Sequence, residues 1–148
     1  MLNNITKNAI LIVLCLADAN RKMTKEEICE ESGVLPNYFG ATMRVLVDAH
    51  IVKSIRGHVG GYEFIGDINK LTLYDIYALY QKTFDAEECL VADHKCTEQD
   101  ISECLCKQAM IKAMDAMYAE MKKATLNQLL DIKQLSVIKH HNEKYGKK

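Results

Sequence analysis

The chain has almost nothing that breaks a helix. Of its 148 residues one is proline, Pro36, and seven are glycine. Collagen-like and linker-rich architectures are therefore excluded, and long helices are open to it. Tryptophan is absent and aromatics are 7%, so the core must be mostly aliphatic and methionine. There is no long hydrophobic run. The longest, Ala9 to Ala17, is too short to span a bilayer. It has neither a basic flank nor a small-residue cleavage site, so it reads as part of the fold and not as a signal peptide. A cytoplasmic protein with no membrane partner is expected. Charge of one sign is also lacking. The net charge is −1, so no global basic field announces a nucleic acid, and any DNA binding must come from a local patch.

The length suits one domain, or one domain with an arm, with a real core. Apolar residues recur at the helical period over residues 4–18, at Ile5, Ala9, Ile12, Val13 and Leu16. That segment is apolar nearly all round and should be central. Thr24 followed by Glu27 is a capping box for a second helix. Gly33 stands just past its end, where a left-handed residue is usual. Pro36 suits the first position of a third helix, running to about His50 with Phe39, Met43, Leu46 and Val47 inward. Helix, tight turn, helix is a helix-turn-helix pattern. Residues 51–55 and 61–65 alternate β-branched or aromatic residues and read as two strands. Between them lies the Gly-bounded tip Arg56-Gly57-His58-Val59-Gly60. A hairpin after a helix-turn-helix is a wing. Thr72 with Asp75 starts a fourth helix.

Residues 83–100 show little apolar periodicity and read as a polar loop. A long helix is expected from about Ile101. Met110, Met114, Met117 and Met121 make one stripe on it, beside Ile111 and Tyr118. So small a chain has too few neighbours to bury that face, which favours a partner subunit. Leu126, Leu129, Leu130 and Ile132 suggest a last turn docking back, and the polar tail from about Lys139 should fray.

The six cysteines are unevenly placed. Cys15 and Cys29 lie in apolar helical patterns and read as small core residues. Cys89, Cys96, Cys104 and Cys106 crowd into one short stretch. In a reducing compartment such a cluster points to metal binding or redox sensing more than to a structural disulfide. His94 is a rival ligand. The intervals are not the paired short loops of zinc ribbons, although a four-thiolate zinc site stays open. On one helix, residues two apart point about 200° from one another. Cys104 and Cys106 could therefore converge only if the helix starts after them.

In this order and spacing the parts resemble the IscR/NsrR-type winged-helix transcription regulators, the Rrf-two family, over roughly residues 1–132. The resemblance is carried by Ile51-Val52-Lys53-Ser54-Ile55-Arg56-Gly57 with Gly60-Gly61-Tyr62, by Leu71-Thr72-Leu73-Tyr74-Asp75-Ile76, by the cysteine loop, and by Thr125-Leu126. It implies a homodimer on a near-palindromic operator in double-stranded DNA. It also implies, in many members, a sensor made of an iron–sulfur cluster or reactive thiols. Cys89, Cys96 and Cys104 match the three cluster ligands by position, so a [2Fe–2S] cluster is the cofactor the resemblance suggests, with Cys106 or His94 completing it. The chain departs from the family pattern in three places. His58 and Val59 replace Pro and Gly at the wing tip. The cysteine intervals are longer than the relatives'. The fourth-ligand position three places after the third Cys holds Lys107, and no acidic residue precedes Asp18 to serve as the alternative.

The expected architecture is mainly α with a small β-wing. Residues 1–82 form the DNA-binding domain, 83–100 the sensor loop, 101–132 the dimerisation helix and docking segment, and 133–148 a tail. Candidate DNA contacts are Thr24, Asn37, Tyr38, Thr42 and Arg44 on the helix-turn-helix, and Lys53, Arg56, His58, Gly60, Gly61 and Tyr62 on the wing. Asn can bond adenine and Arg guanine, each with two hydrogen bonds. Lys and Arg supply phosphate contacts, and an Arg on a slim loop suits a narrow minor groove. Met110, Met114, Met117, Tyr118 and Met121 are the candidate dimer interface. No phosphate-binding glycine loop, nucleophile elbow or His-Glu-x-x-His is present, so an enzyme is not expected. The expected function is transcription regulation, by repression, tuned by redox, nitric oxide or iron–sulfur status. The competing reading is a winged helix used only as a protein-interaction module, which would show no steep salt dependence toward duplex DNA.

Overall fold

A computed structural model describes residues 2–81, 89 and 95–130. His94 and the tail, residues 133–148, lie outside the described residues. The first helix, α1 (Asn4–Ala19), starts where the Asn3 side chain accepts from the Thr6 backbone N–H at 2.8 Å and ends at a left-handed Asn20. Ala9, Ile12, Val13 and Leu16 have no exposed surface, so α1 is the central rod that its composition predicts. The helix-turn-helix is α2 (Lys25–Ser32) and α3 (Pro36–Asp48). The capping box is formed in both directions. Thr24 N–H donates to the Glu27 carboxylate at 2.7 Å, and Glu27 N–H to the Thr24 hydroxyl at 3.2 Å. Gly33 closes α2 at φ 73°, and Pro36 stands in the first turn of α3. Ile28, Phe39, Met43 and Leu46 turn inward against α1. Each such full burial stabilises the fold by about 1.5–3 kcal/mol.

The wing is β1 (Val52–Ile55) paired antiparallel with β2 (Gly61–Phe64), with Val52 opposite Phe64 and Ile55 opposite Gly61. The turn before α2 joins the sheet by one bridge. Met23 N–H donates to the Tyr62 carbonyl at 2.9 Å and Tyr62 N–H to the Met23 carbonyl at 2.8 Å. That close approach needs Gly61, where a Cβ would fall 2.6 Å from the Met23 carbonyl oxygen. Helix α4 (Leu73–Tyr80) starts on the Thr72–Asp75 capping box and buries Ile76.

Beyond Lys95 the structure departs from expectation. Residues 98–100, expected as polar loop, open a short helix, α5 (Glu98–Glu103), on a third full capping box, Thr97 with Asp100. The long helix does not run unbroken from Ile101. Cys104, with ψ 108°, closes α5 and opens α6 (Leu105–Lys123). The Gln108 side chain reaches back to the Ser102 carbonyl and satisfies part of the broken ladder. The chain then docks through Leu126, while Ile132 of the expected docking segment lies outside the described residues. α7 (Leu126–Leu129) buries Leu126 fully, Leu126 N–H donates to Leu71 at 2.8 Å, and Leu73 N–H donates to Ala124 at 2.9 Å. Among the described residues no helix is long and apolar enough to cross a membrane.

Candidate nucleic-acid interface and thiol site

Phe39 decides where the start of α3 sits. Its buried ring meets Tyr62 of β2 edge-on, with centroids 5.4 Å apart. The first turns of α3 are thereby held beside the wing, with Asn37, Tyr38, Gly40, Ala41 and Arg44 on the exposed face. No heavy atom lies within 4 Å of a Cβ added at Gly40, so the helix surface is open there. Thr24 is exposed at the start of α2. Lys53, Arg56 and His58 are exposed on the wing. Gly57, at φ 123°, makes the turn at the tip, and Gly60 N–H donates to its carbonyl at 3.0 Å. One expected contact is corrected. Thr42 has no exposed surface, and its hydroxyl donates to the Tyr38 carbonyl at 2.8 Å, so it is a core residue. Tyr62 is half-buried, with its ring committed to Phe39. Gly60 and Gly61 are explained by close backbone approach: a Cβ on Gly60 would meet the Ile55 oxygen at 2.7 Å.

Two residues that sequence reasoning passed over belong to this face. The Lys22 ammonium donates to the Val59 carbonyl at 2.5 Å and pins the wing tip to the turn before α2. Lys25 stands 5.8 Å over the Phe39 ring. Nothing in the pattern separates these two lysines from other surface cations. Exposed apolar groups flank the face as well: Leu35, Tyr38 and, at the wing tip, Val59.

The cysteines are only partly gathered. Cys96 is buried and Cys89 half-buried. Burial first, then a hydrogen bond with the Cys89 thiol, pushes the Cys96 thiol above its ordinary pKa, against the pull of nearby Lys107. Lys107, in the first turn of α6, is 6% exposed. Cys104 is half-buried at the α5–α6 break and Cys106 is exposed one residue into α6. Neither expected geometry holds: the helix neither continues through Cys104 nor starts after Cys106. Cys15 is buried in the core, as expected, and burial raises the pKa of half-buried Cys29.

On α6 the stripe is divided. Tyr118 meets Tyr74 and Tyr77 of α4, at 5.2 and 5.8 Å between ring centroids. Met121 is already buried within its own chain. These two of the five expected interface residues serve internal packing. Met110 stays exposed and Met114 and Met117 half-buried, at positions that share one helix face.

The family model for Rrf2, described as an iron-dependent transcriptional regulator, matches residues 2–132. The chain belongs to the Rrf2 family. Its relatives include the HTH-type transcriptional regulator BadM of Rhodopseudomonas palustris, 34% identical over 80 residues, a match covering 53% of this chain and 51% of BadM. The match thus spans about half of that relative's length. A second HTH-type transcriptional regulator, from Aquifex aeolicus, is 26% identical over 84% of this chain and 88% of its own. Among solved structures, T. potens IscR superposes with a TM-score of 0.69 at 19% identity, over 88% of this chain and 85% of that one. CymR, the global cysteine regulator of B. subtilis, superposes with a TM-score of 0.67 at 20% identity, over 88% and 95%. These likenesses establish the winged-helix fold. Rrf2 proteins are regulators of transcription and not enzymes.

The Rrf2 cysteine positions can be tested against a [2Fe–2S] cluster, which needs four donors. Among the described residues no three His, Cys, Asp or Glu are grouped so as to hold a metal ion. The described thiols offer the hydrogen-bonded pair Cys89 and Cys96, with Cys104 half-buried at the α5–α6 break. At the fourth-ligand position a buried ammonium, Lys107, stands near Cys96. Among the described residues, then, the four donors of a cluster are not brought together.

Proposed function

We propose that this Rrf2 chain is a homodimeric DNA-binding repressor that recognises a near-palindromic operator and answers to the oxidation state of its Cys89–Cys96 pair. The observation that carries the DNA reading is the Phe39–Tyr62 contact. It sets the base-facing turn of α3 beside the wing while Asn37, Tyr38, Arg44, Arg56 and His58 stay exposed. α3 then enters the major groove, and Arg56 and His58 meet the backbone or the adjacent minor groove. Residues 2–81 act as the reader, the cysteine segment as the sensor and α6 as the dimer seam, through Met110, Met114 and Met117.

Oxidation of the pair balances with hydrogen peroxide. One thiol is oxidised to a sulfenic acid with release of water. The second thiol then displaces a second water as the disulfide closes. A disulfide there would re-set the segment leading into α5 and α6. In the dimer α6 sets the separation of the two recognition helices, so half-site spacing and affinity change together. A protein of this kind works in the cytoplasm, where the pair is reduced at rest.

The test has three arms. Binding to mixed duplex DNA should weaken steeply with salt, and selection from a random pool should yield a two-fold sequence. Peroxide should change the affinity of the wild type and of Cys15→Ser, but not of Cys89→Ser or Cys96→Ser. Anaerobically purified protein should carry no stoichiometric iron. Visible absorbance with bound iron, lost in Cys89→Ser and Cys96→Ser, would replace the thiol switch by a cluster. Flat salt dependence would leave only a protein-interaction module.

A further inference from the structure

Tyr80 is the last residue of α4, which precedes the cysteine segment in the sequence. Its hydroxyl donates to the backbone carbonyl of Thr42 in the middle of α3 at 2.6 Å. A carbonyl oxygen has two lone pairs. The helix uses one, so the second bond is a purely tertiary tie on the position of α3. Burial pushes the Tyr80 phenol far above its ordinary pKa, so it remains a donor. Thr42 carries the connection onward, because its own hydroxyl donates to the Tyr38 carbonyl at 2.8 Å. Tyr38 and Asn37 begin the exposed face of α3. At its other side the end of α4 is tied to the start of α1: Gln81 Nε2 donates to Thr6 Oγ1 at 3.3 Å, and Asn3 Nδ2 to the Tyr80 carbonyl at 3.5 Å.

We propose that Tyr80 is a positioning residue for DNA recognition: its bond to Thr42, continued from Thr42 to Tyr38, passes the placement of the end of α4 to the base-facing turn of α3. The bond couples the end of α4 to the reader through two hydrogen bonds. It rests on the DNA-binding reading above. It touches no charge and no phosphate contact, so its loss should cost sequence selectivity and leave charge-driven binding alone.

The experiment uses the full chain with two probes, a duplex selected by the wild type and a random duplex. Tyr80→Phe should weaken binding to the selected duplex about two- to tenfold. Binding to random duplex and the salt slope should not change. Amide exchange should speed up in α3 but not in α1. Thr42→Val removes the second link without emptying the core. It should lower selectivity as well, and the double variant should lose less than the two singles combined. If the wild type selects no sequence, the DNA reading fails, and Tyr80 is still judged by exchange in α3, where unchanged rates overturn the proposal. If the wild type selects a sequence and Tyr80→Phe selects it equally well, or loses both probes equally, Tyr80 does not position the reader. Should Tyr80→Phe fold poorly, unchanged selectivity in Thr42→Val overturns the relay by itself.

Discussion

Residues 4–81 and residues 95–130 are held in different ways. In the first region α1, α2 and α4 each begin on a side chain that caps the first turn. Their apolar faces meet in one core, where Ile12, Leu16, Met23, Ile28, Leu46 and Ile76 have no exposed surface. In the second region α5 buries no residue, and α6 buries only Lys107 and Met121 along its 19 residues. Leu105 at the head of α6 is 80% exposed. Capping signals are equally good in α5, so capping is not what separates the two. The difference is cover. The reader buries its apolar faces in one core, and among the described residues α6 leaves Leu105 and Met110 exposed and Met114 and Met117 half-buried.

The largest effect should separate the regions by stability. Leu46→Ala, in the core, should cost about 2–5 kcal/mol in denaturant unfolding, against about 0.5 kcal/mol or less for exposed Leu105→Ala in a monomer. Comparable costs would mean that Leu105 is covered in the assembled protein. Next comes the seam. Met114→Glu with Met117→Glu should weaken the dimer about a hundredfold or more, since buried charges would lack partners. Sedimentation should show monomers whose first region still unfolds cooperatively, and an undisturbed dimer would put the seam elsewhere.

A smaller effect belongs to the wing. Arg56→Ala should weaken specific and random duplex alike and lower the salt slope by about one unit. An unchanged slope would remove Arg56 from the phosphate contacts. The smallest concerns a cap. Thr24→Ala should cost about 1 kcal/mol, seen as a lower denaturation midpoint. Its partner Glu27 titrates below the usual 4.5, lowered first by the Thr24 backbone N–H and then by Arg21. A depressed carboxylate stabilises the fold fully above its unfolded value and loses that effect as pH falls through the folded one. Glu27→Gln should therefore flatten the acid limb of the stability profile, and an unchanged limb would assign it to other carboxylates.

Much of the reader was legible because its signals are local. Thr24 with Glu27, Thr72 with Asp75, Gly33 after α2 and Pro36 before α3 stand where their backbone roles require. The burial of Thr42 is readable from its position. It stands three residues after Phe39 and four before Leu46, on the buried stripe, and a hydroxyl can be buried there because the Tyr38 carbonyl accepts its proton. Thr97 with Asp100 is the same motif as the other boxes, but no apolar periodicity follows it to mark the start of a helix.

The capping residues, the glycine and proline at the turns, and the 3.6- and 2-residue apolar periods determine the order of elements and the family, because each acts within a few residues of itself. Other features were decided only in three dimensions. Phe39 finds Tyr62, Lys22 finds Val59, and Tyr80 finds Thr42 across 38 positions. The break at Cys104 carries no proline or glycine to announce it, and Lys107 is buried near Cys96 by the packing around α6. Such contacts depend on how finished helices stack. No local pattern encodes them, because the free energy that selects them is shared among residues far apart in the chain.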